Sequence, residues 1–502
     1  MKRLNGMDAM LIYSETPNLH THTLKVAVID AADCPDFGFG AFRDHLRRRL
    51  PLLEPLRYKL IDVPWRLHHP MWQADCEVDL DYHVRRVQVS APGGRRELDE
   101  VIGRVASTPL DRSRPLWEFH FAEGLAGNRF ALIGKVHHAL ADGVASVNLL
   151  ERAMDLAGPA DPVSDGTDEA SSSADLVRAA GRDHVRQIAE LPRLIRDVAV
   201  GMTRVRRRSK QRGEHPDLAA SFDAPPTFLN HVVSPQRRFA TTTLPLAEVK
   251  STAKALGITL NDLILTIAAG GLRKLLLDYD GSADRPIIAS VPTATDKSDR
   301  VTGNEISGLS VSLPVHVADP TRRAQLVALA TRIAKEDHEI LGPRLYGRMM
   351  CYLPPAIAPA AFRWLGRRDA PNKMMNVAVS SVLGPRQRGH FGDAPVSEIY
   401  STGVLSPGAP VNITVWSYVD QLGVAVLTDD QTFADPHEAT DAFRAAFAEL
   451  RSAAGTYRVI DSSRQNGVEG GVEQAESVVG GTGQCFDGVL GMRHQPDDTA
   501  VG

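Results

Sequence analysis

The stretch RFALIGKVHHALADGVASVNLL, residues 129–150, leaves this chain the fewest ways to fold. It opens with an apolar run of strand length, and from Gly143 the positions Val144, Val147, Leu150 and Met154 recur at helical spacing. A strand must therefore become a helix across the residues between. His137 and His138 stand at the strand exit, and neighbouring side chains on extended backbone point to opposite faces. One ring faces a channel while the other packs. Asp142, four residues past His138, can orient a ring or hold the loop after a tight turn, and Gly143 allows a backbone geometry or close approach that a side chain would block. A histidine near its unperturbed pKa of about 6.5 is the usual general base for a hydroxyl proton at neutral pH. A lone histidine on an apolar strand would be a satisfied core residue. The complete H-H-x-x-x-D-G string between strand and helix points instead to catalysis.

The chain's 502 residues are too many for one ordinary domain, and two are expected. A net charge of -4 gives no global field for nucleic acid, so no nucleic-acid partner is expected. Cys34, Cys76, Cys351 and Cys485 are scattered with no C-x-x-C pair, which fits a reducing cytosol and no metal. Asn5 and Asp8 interrupt the N-terminus before a signal-peptide core can form, so export is not expected. Apolar runs such as LILTIAAGGL reach about half the roughly 20 residues that span a bilayer, which leaves only peripheral membrane contact.

Four segments follow from composition and periodicity. Residues 1–157 mix strands (LKVAVID, RFALIGKV) with helix (FGAFRDHLRRRL) and carry the histidine string. Residues 158–225 form a linker: an acidic, turn-rich start, then a helical run with apolar positions Val185, Ile188, Leu191, Ile195, Val198, Met202 and Val205, broken by Pro192. Its end, Arg204, Arg206, Arg207, Arg208, Lys210 and Arg212, is either a solvated basic terminus or a contact for anionic lipid headgroups. Residues 226–460 form a second α/β half, with strands RRFATTTLPL, PIIASVPT, LSVSLPVHV, NVAVSSVLG and a hairpin VNITVWSYVDQLGVAVLTDD. Helices LAEVKSTAKALG, NDLILTIAAGGLRKLLLDY and a run after Asp435 alternate with them. Residues 461–502, rich in Gly, Glu and Ser without periodicity, read as a disordered tail.

HHALADG resembles the HHxxxDG motif of CoA-dependent acyltransferases and peptide-condensation domains. Further blocks are similar to one branch, the bacterial wax ester synthase/diacylglycerol acyltransferase family: LNGMDAMLIYSETPNLHTHT, DLDYHVRRVQVSAPGGRREL, PLDRSRPLWEFHFAEGL and NDLILTIAAGGLRKLL. They cover most of residues 4–460 in order. The resemblance implies an α/β (α+β) fold of two chloramphenicol-acetyltransferase-like domains, each a mixed sheet with flanking helices, joined by a long helical crossover. It implies acyl transfer from long-chain acyl-CoA, as co-substrate, to diacylglycerol or a fatty alcohol, with His138 as base and no acyl-enzyme, bound cofactor or metal. His137, Asp142 and Gly143 would support the loop. Asn261 and Asp262 are carried over as site-supporting residues, Asn261 serving either as an oxyanion donor or as a helix cap. The implied location is cytoplasmic, at the inner face of the plasma membrane or on lipid bodies.

Pro115, Leu116 and Trp117 belong to a diagnostic block, yet an aromatic beside a strand is expected to pack. A surface or packing role is likewise expected of His68, His69 and His83. Two departures stand out: SSVLGP at 380–385, with Ser381 and Leu383 where the family has asparagine and proline, and Asp296 where an arginine is common. They keep two alternatives open: a weakly active paralogue that binds lipid or coats lipid bodies, and a condensation-type enzyme using a carrier-protein thioester.

Overall fold

A computed structural model describes residues 1–156, 172–296, 298–369 and 372–455. The start of the expected linker and the expected tail from residue 461 lie outside the described residues. Among the described residues are two six-stranded mixed sheets flanked by helices, and a small three-stranded sheet of Lys2–Arg3, Met71–Gln73 and Lys59–Ile61. The first has the order His390–Phe391, Ala394–Thr402, His22–Asp30, Arg129–His137, Trp117–Leu125, Val84–Gln88. Its neighbours are antiparallel except the last pair. The second runs Ile306–Leu313, Ile287–Ala294, Val377–Leu383, Val411–Tyr418, Gln421–Asp429, Arg237–Pro245, with Val377–Leu383 parallel to both neighbours.

The expected strands form because their apolar runs are buried. Val411–Tyr418 is buried at every position, as a strand covered on both faces must be. Helix Leu260–Tyr279, apolar around most of its circumference, is sunk in the core of the second sheet. Among the described residues no single helix is long and apolar enough to cross a membrane.

Strand Ala394–Thr402 has no strong sequence signature, and it ties the halves together. It leaves the C-terminal half and pairs antiparallel with His22–Asp30, completing the N-terminal sheet. The second sheet comes close enough that a Cβ on Gly423 would lie 2.5 Å from Ile399 O, so only glycine fits there. On the other side, helix Arg95–Ala106 presses on strand Arg237–Pro245 through Asp99, which accepts from the Thr241 N–H and hydroxyl at 2.9 Å.

The linker helix departs from expectation. It is one element of 40 residues, Ser173–Arg212, that continues through Pro192. Proline removes one intrahelical bond. Anchors on both sides hold the axis: His184 Nε2 pairs with Leu67 O at 2.7 Å, Gln187 donates to Cys351 O at 2.9 Å, and Asp197 pairs with Arg348 at 2.9 Å. Its apolar positions largely face outward, with Val185, Ile188 and Ile195 at least 60% exposed. Two of the terminal cations are already paired, Arg208 with Glu336 and Arg212 with Asp337.

Burial of histidines sets an acid limit on this fold. His20, His22, His45, His68, His69, His83 and His137 are all buried, and burial pushes each below the usual imidazole value, His68 and His69 to about 4. His231 and His437 move the opposite way, beside Asp429 and Asp99. For the depressed group the unfolded chain binds more protons between pH about 6.5 and the folded pKa, so stability falls as pH drops through that window. The two raised histidines, and the buried carboxyls of Asp8 and Asp99, which burial raises, offset only part of this. The melting temperature is expected to fall by several degrees from about pH 7 to about pH 5 in a scanning fluorimetry series. A flat or rising profile would contradict the assignment.

Candidate active site

The strand-to-helix turn forms as the spacing requires, with strand Arg129–His137 followed by helix Gly143–Ala153. The two histidines diverge. His137 is fully buried, and its Nδ1 accepts from the Ala139 N–H at 3.1 Å, so its Nε2 carries the proton and donates to Thr21 Oγ1 at 2.8 Å. Both nitrogens are occupied and its pKa lies well below the ordinary value, which makes it a structural ring. His138 is half-buried. Its backbone is clamped, N–H to Thr21 O at 2.8 Å and C=O accepting from Asn304 Nδ2 at 2.8 Å, whereas Nδ1 is buried without a hydrogen-bond partner. Burial lowers the His138 pKa, as does the Lys25 charge, while its own carbonyl, Asp142 and Asn304 act against this. The ring is therefore neutral, and able to accept a proton, at neutral pH.

Asp142 holds the turn and does not touch His138's ring. Its Oδ1 caps the helix by accepting from the Ala145 N–H at 3.0 Å. Its Oδ2 takes the Glu305 N–H at 2.9 Å and a guanidinium N–H of Arg300. Arg300 also donates to Gly303 O at 2.7 Å and pairs with Asp296 at 3.1 Å. The departure at Asp296 is thus accounted for: its carboxylate braces the arginine that braces Asp142. Backbone bonds lock the same seam, Gly303 N–H to Leu140 O at 2.8 Å and Asp142 N–H to Gly303 O at 3.3 Å. Behind them Asn304 donates to Asp8 at 2.7 Å, whose carboxyl burial pushes up to about 7.

Other expected positions fare differently. Gly143 is the first residue of its helix, and an added Cβ would meet Val382 Cγ2 at 3.4 Å, an ordinary contact. The special geometry expected of it is absent. Asn261 and Asp262 lie at the start of the helix in the second core, where Asp262 forms a capping box with Thr259, accepting its hydroxyl at 2.6 Å. That sets Asp262 in a cap rather than beside His138. Trp117 is core, donating Nε1–H to Leu56 O at 2.7 Å and stacking on His83 at 4.4 Å. His68, His69 and His83 are likewise buried packing groups. In the altered SSVLGP block, Leu383 is 71% exposed, so losing proline there disturbs no core. Gly384 is constrained, since a Cβ would lie 2.4 Å from Ser417 O. No cluster of metal-ligating side chains occurs among the described residues.

An apolar cavity of about 60 Å³ lies beside the motif between helices Phe39–Arg49 and Gly143–Ala153 and the face of the first sheet. Ala141 and Ser146 line it at the motif, Leu46, Leu53, Phe119, Leu132 and Leu150 form apolar walls, and Lys25 projects into it. The apolar lining suits part of a hydrocarbon chain held beside the motif turn.

Comparison with known proteins agrees with this arrangement. Residues 4–264 match the model of the wax ester synthase/diacylglycerol acyltransferase catalytic domain, and residues 302–451 that of the family's C-terminal domain. A protein of Mycobacterium tuberculosis strain H37Rv, named as a candidate diacylglycerol O-acyltransferase, is 52% identical over 91% of this chain and 97% of its own. The O-acyltransferase WSD of Acinetobacter baylyi is 29% identical over 72% of this chain and 79% of its own. Among solved structures, the wax ester synthase/diacylglycerol acyltransferase from Marinobacter aquaeolei VT8 aligns with TM-score 0.65 and 25% identity over 91% of this chain and 100% of that one. The starter condensation domain of rhizomide synthetase, in complex with C8-CoA, shares the fold at TM-score 0.53 and 13% identity, covering 90% of this chain and 94% of that one. Family models over most of the chain, and a 52% identical relative along nearly its whole length, place this protein in the wax ester synthase/diacylglycerol acyltransferase family.

Proposed function

We propose that this protein transfers a long-chain acyl group from acyl-CoA to the hydroxyl of diacylglycerol, forming triacylglycerol, with long-chain alcohols as second acceptors. The observation that carries this reading is a His138 whose pKa burial lowers, on a turn whose neighbours Ala141 and Ser146 line an apolar cavity. His138 takes the hydroxyl proton as the oxygen attacks the thioester carbonyl, and the resulting imidazolium returns it to the departing CoA thiolate. His137, Asp142 and Arg300 position the loop and act through it. No acyl-enzyme is needed, because acceptor and donor meet at one base.

The enzyme works, on this reading, at the cytoplasmic face of a membrane or at a lipid-body surface, where both lipid substrates reside. Trp65, Ile188, Ile195, Ile357 and Trp364 are each more than half exposed, and Arg204, Arg206, Arg207 and Lys210 at the linker helix end are exposed. Apolar anchors with cations suit an anionic lipid surface. Purified protein given radiolabelled palmitoyl-CoA is expected to yield triacylglycerol from diolein, and wax ester more slowly from hexadecanol. Neutral lipid from neither acceptor would overturn the proposal.

A further inference from the structure

Strand His22–Asp30 carries a cation that the loop mechanism leaves unused. Its register with strand Arg129–His137 pairs Thr23 with Val136 and Lys25 with Gly134, and the His138 N–H goes to Thr21 O one step on. Directly opposed residues of an antiparallel pair share a face, so Lys25 and His138 project to the same side. Gly134 opposite Lys25 contributes no side chain and leaves room for the ammonium. The ammonium forms no ion pair among the described residues. Its neighbours are Thr23 Oγ1 at 3.5 Å and the face of Trp416 at 5.7 Å. Trp416, fully buried and reached from the second sheet, has its own Nε1–H without an acceptor. An ammonium held in an apolar wall with no anion is costly and is kept where a ligand supplies the missing charge.

Resting on the function proposed above, we infer that Lys25 is a second catalytic residue, whose ammonium hydrogen-bonds the thioester carbonyl oxygen of the acyl chain seated in the cavity. As the acceptor oxygen bonds to the carbonyl carbon, the C=O π pair moves onto oxygen. Lys25 then faces a full negative charge beside an apolar wall, where a fixed donor counts most. His138 holds the hydroxyl proton. When the oxyanion collapses, the C–S bond breaks and the thiolate takes that proton, so Lys25 stays protonated throughout. Burial lowers its pKa to about 8, and the Asp142 carboxylate opposes the shift. The other charged or titratable groups on this cavity are His45 and Arg49, and Arg49 is already paired with Asp155.

The test is Lys25→Met, which keeps the side-chain length and removes the charge. Its kcat with palmitoyl-CoA and diolein is expected to fall about 10²–10³-fold while KM for acyl-CoA changes little, because the donor acts on the charge that develops. Wild-type kcat is expected to decline as pH rises through about 8, where Lys25 loses its proton, and the variant's residual activity to lack that limb. Removing a half-buried charge that has no ion pair should leave the melting temperature unchanged or higher. A Lys25→Met enzyme with wild-type kcat, or one that melts several degrees lower, overturns the inference and leaves the proposed function standing. A wild-type protein without turnover overturns both.

Discussion

His138→Ala is expected to lower kcat by about 10²–10⁴-fold, the usual contribution of a positioned general base, with no comparable loss of stability. The asymmetry follows from how the residue is held. Its backbone N–H and C=O, bonded to Thr21 and Asn304, keep the turn in place, and alanine retains both bonds. The imidazole contributes little to the fold, since Nδ1 has no partner to abandon. Assaying the variant beside its melting curve separates the two effects. Wild-type turnover from a folded variant would remove His138 from the mechanism.

Asp142→Ala is expected to act in the opposite way, through the fold first. The carboxylate is fully buried and accepts from the Ala145 and Glu305 N–H groups and the Arg300 guanidinium. Removing it orphans three donors at once. Breaking a buried pair from one side costs about 3–5 kcal/mol, which in a unit of this length corresponds to a melting temperature lower by roughly 3–5 °C. Asp142→Asn keeps an acceptor for the cap and should fall between the two. Asp142→Ala melting like wild type would show that the seam between residues 140–145 and 300–305 is not held by this carboxylate.

How much of this was legible in the sequence depends on the distance over which each feature is specified. The strand, the turn and the helix around HHALADG could be read because period and order are local properties. The same holds for the hairpin Val411–Tyr418/Gln421–Asp429 and for the opposite fates of His137 and His138, which follow from alternation alone. Arg300 and Asn304 could not be read, because they meet Asp142 and His138 across separations of 158 and 166 residues. The one local hint was Asp296 four residues before Arg300, an opposite-charge pair in a departed motif. Lys25 left a fainter trace, a lone cation sharing parity with Thr23, Ala27 and Ile29 in HTLKVAVID. Ala394–Thr402 was hidden because Pro395, Ser397 and Glu398 break the apolar pattern, and its burial comes from the other half's sheet. The linker helix is the converse case. Its apolar period specifies a helix, but period cannot say whether a stripe faces protein or solvent.

The central claim is that neutral His138 takes the acceptor's proton, and the pH dependence of kcat/KM tests it most directly. Diolein-dependent release of CoA from palmitoyl-CoA would be followed from about pH 5 to about pH 8 in wild type and in His138→Ala. Burial lowers the pKa of this ring, so the base stays deprotonated as pH falls to about 6.5 and is lost only below it. The account predicts a wild-type acid limb with its midpoint below about 6.5 and no such limb in the variant's residual rate. A midpoint at or above about 7, or the same limb in both proteins, would contradict it.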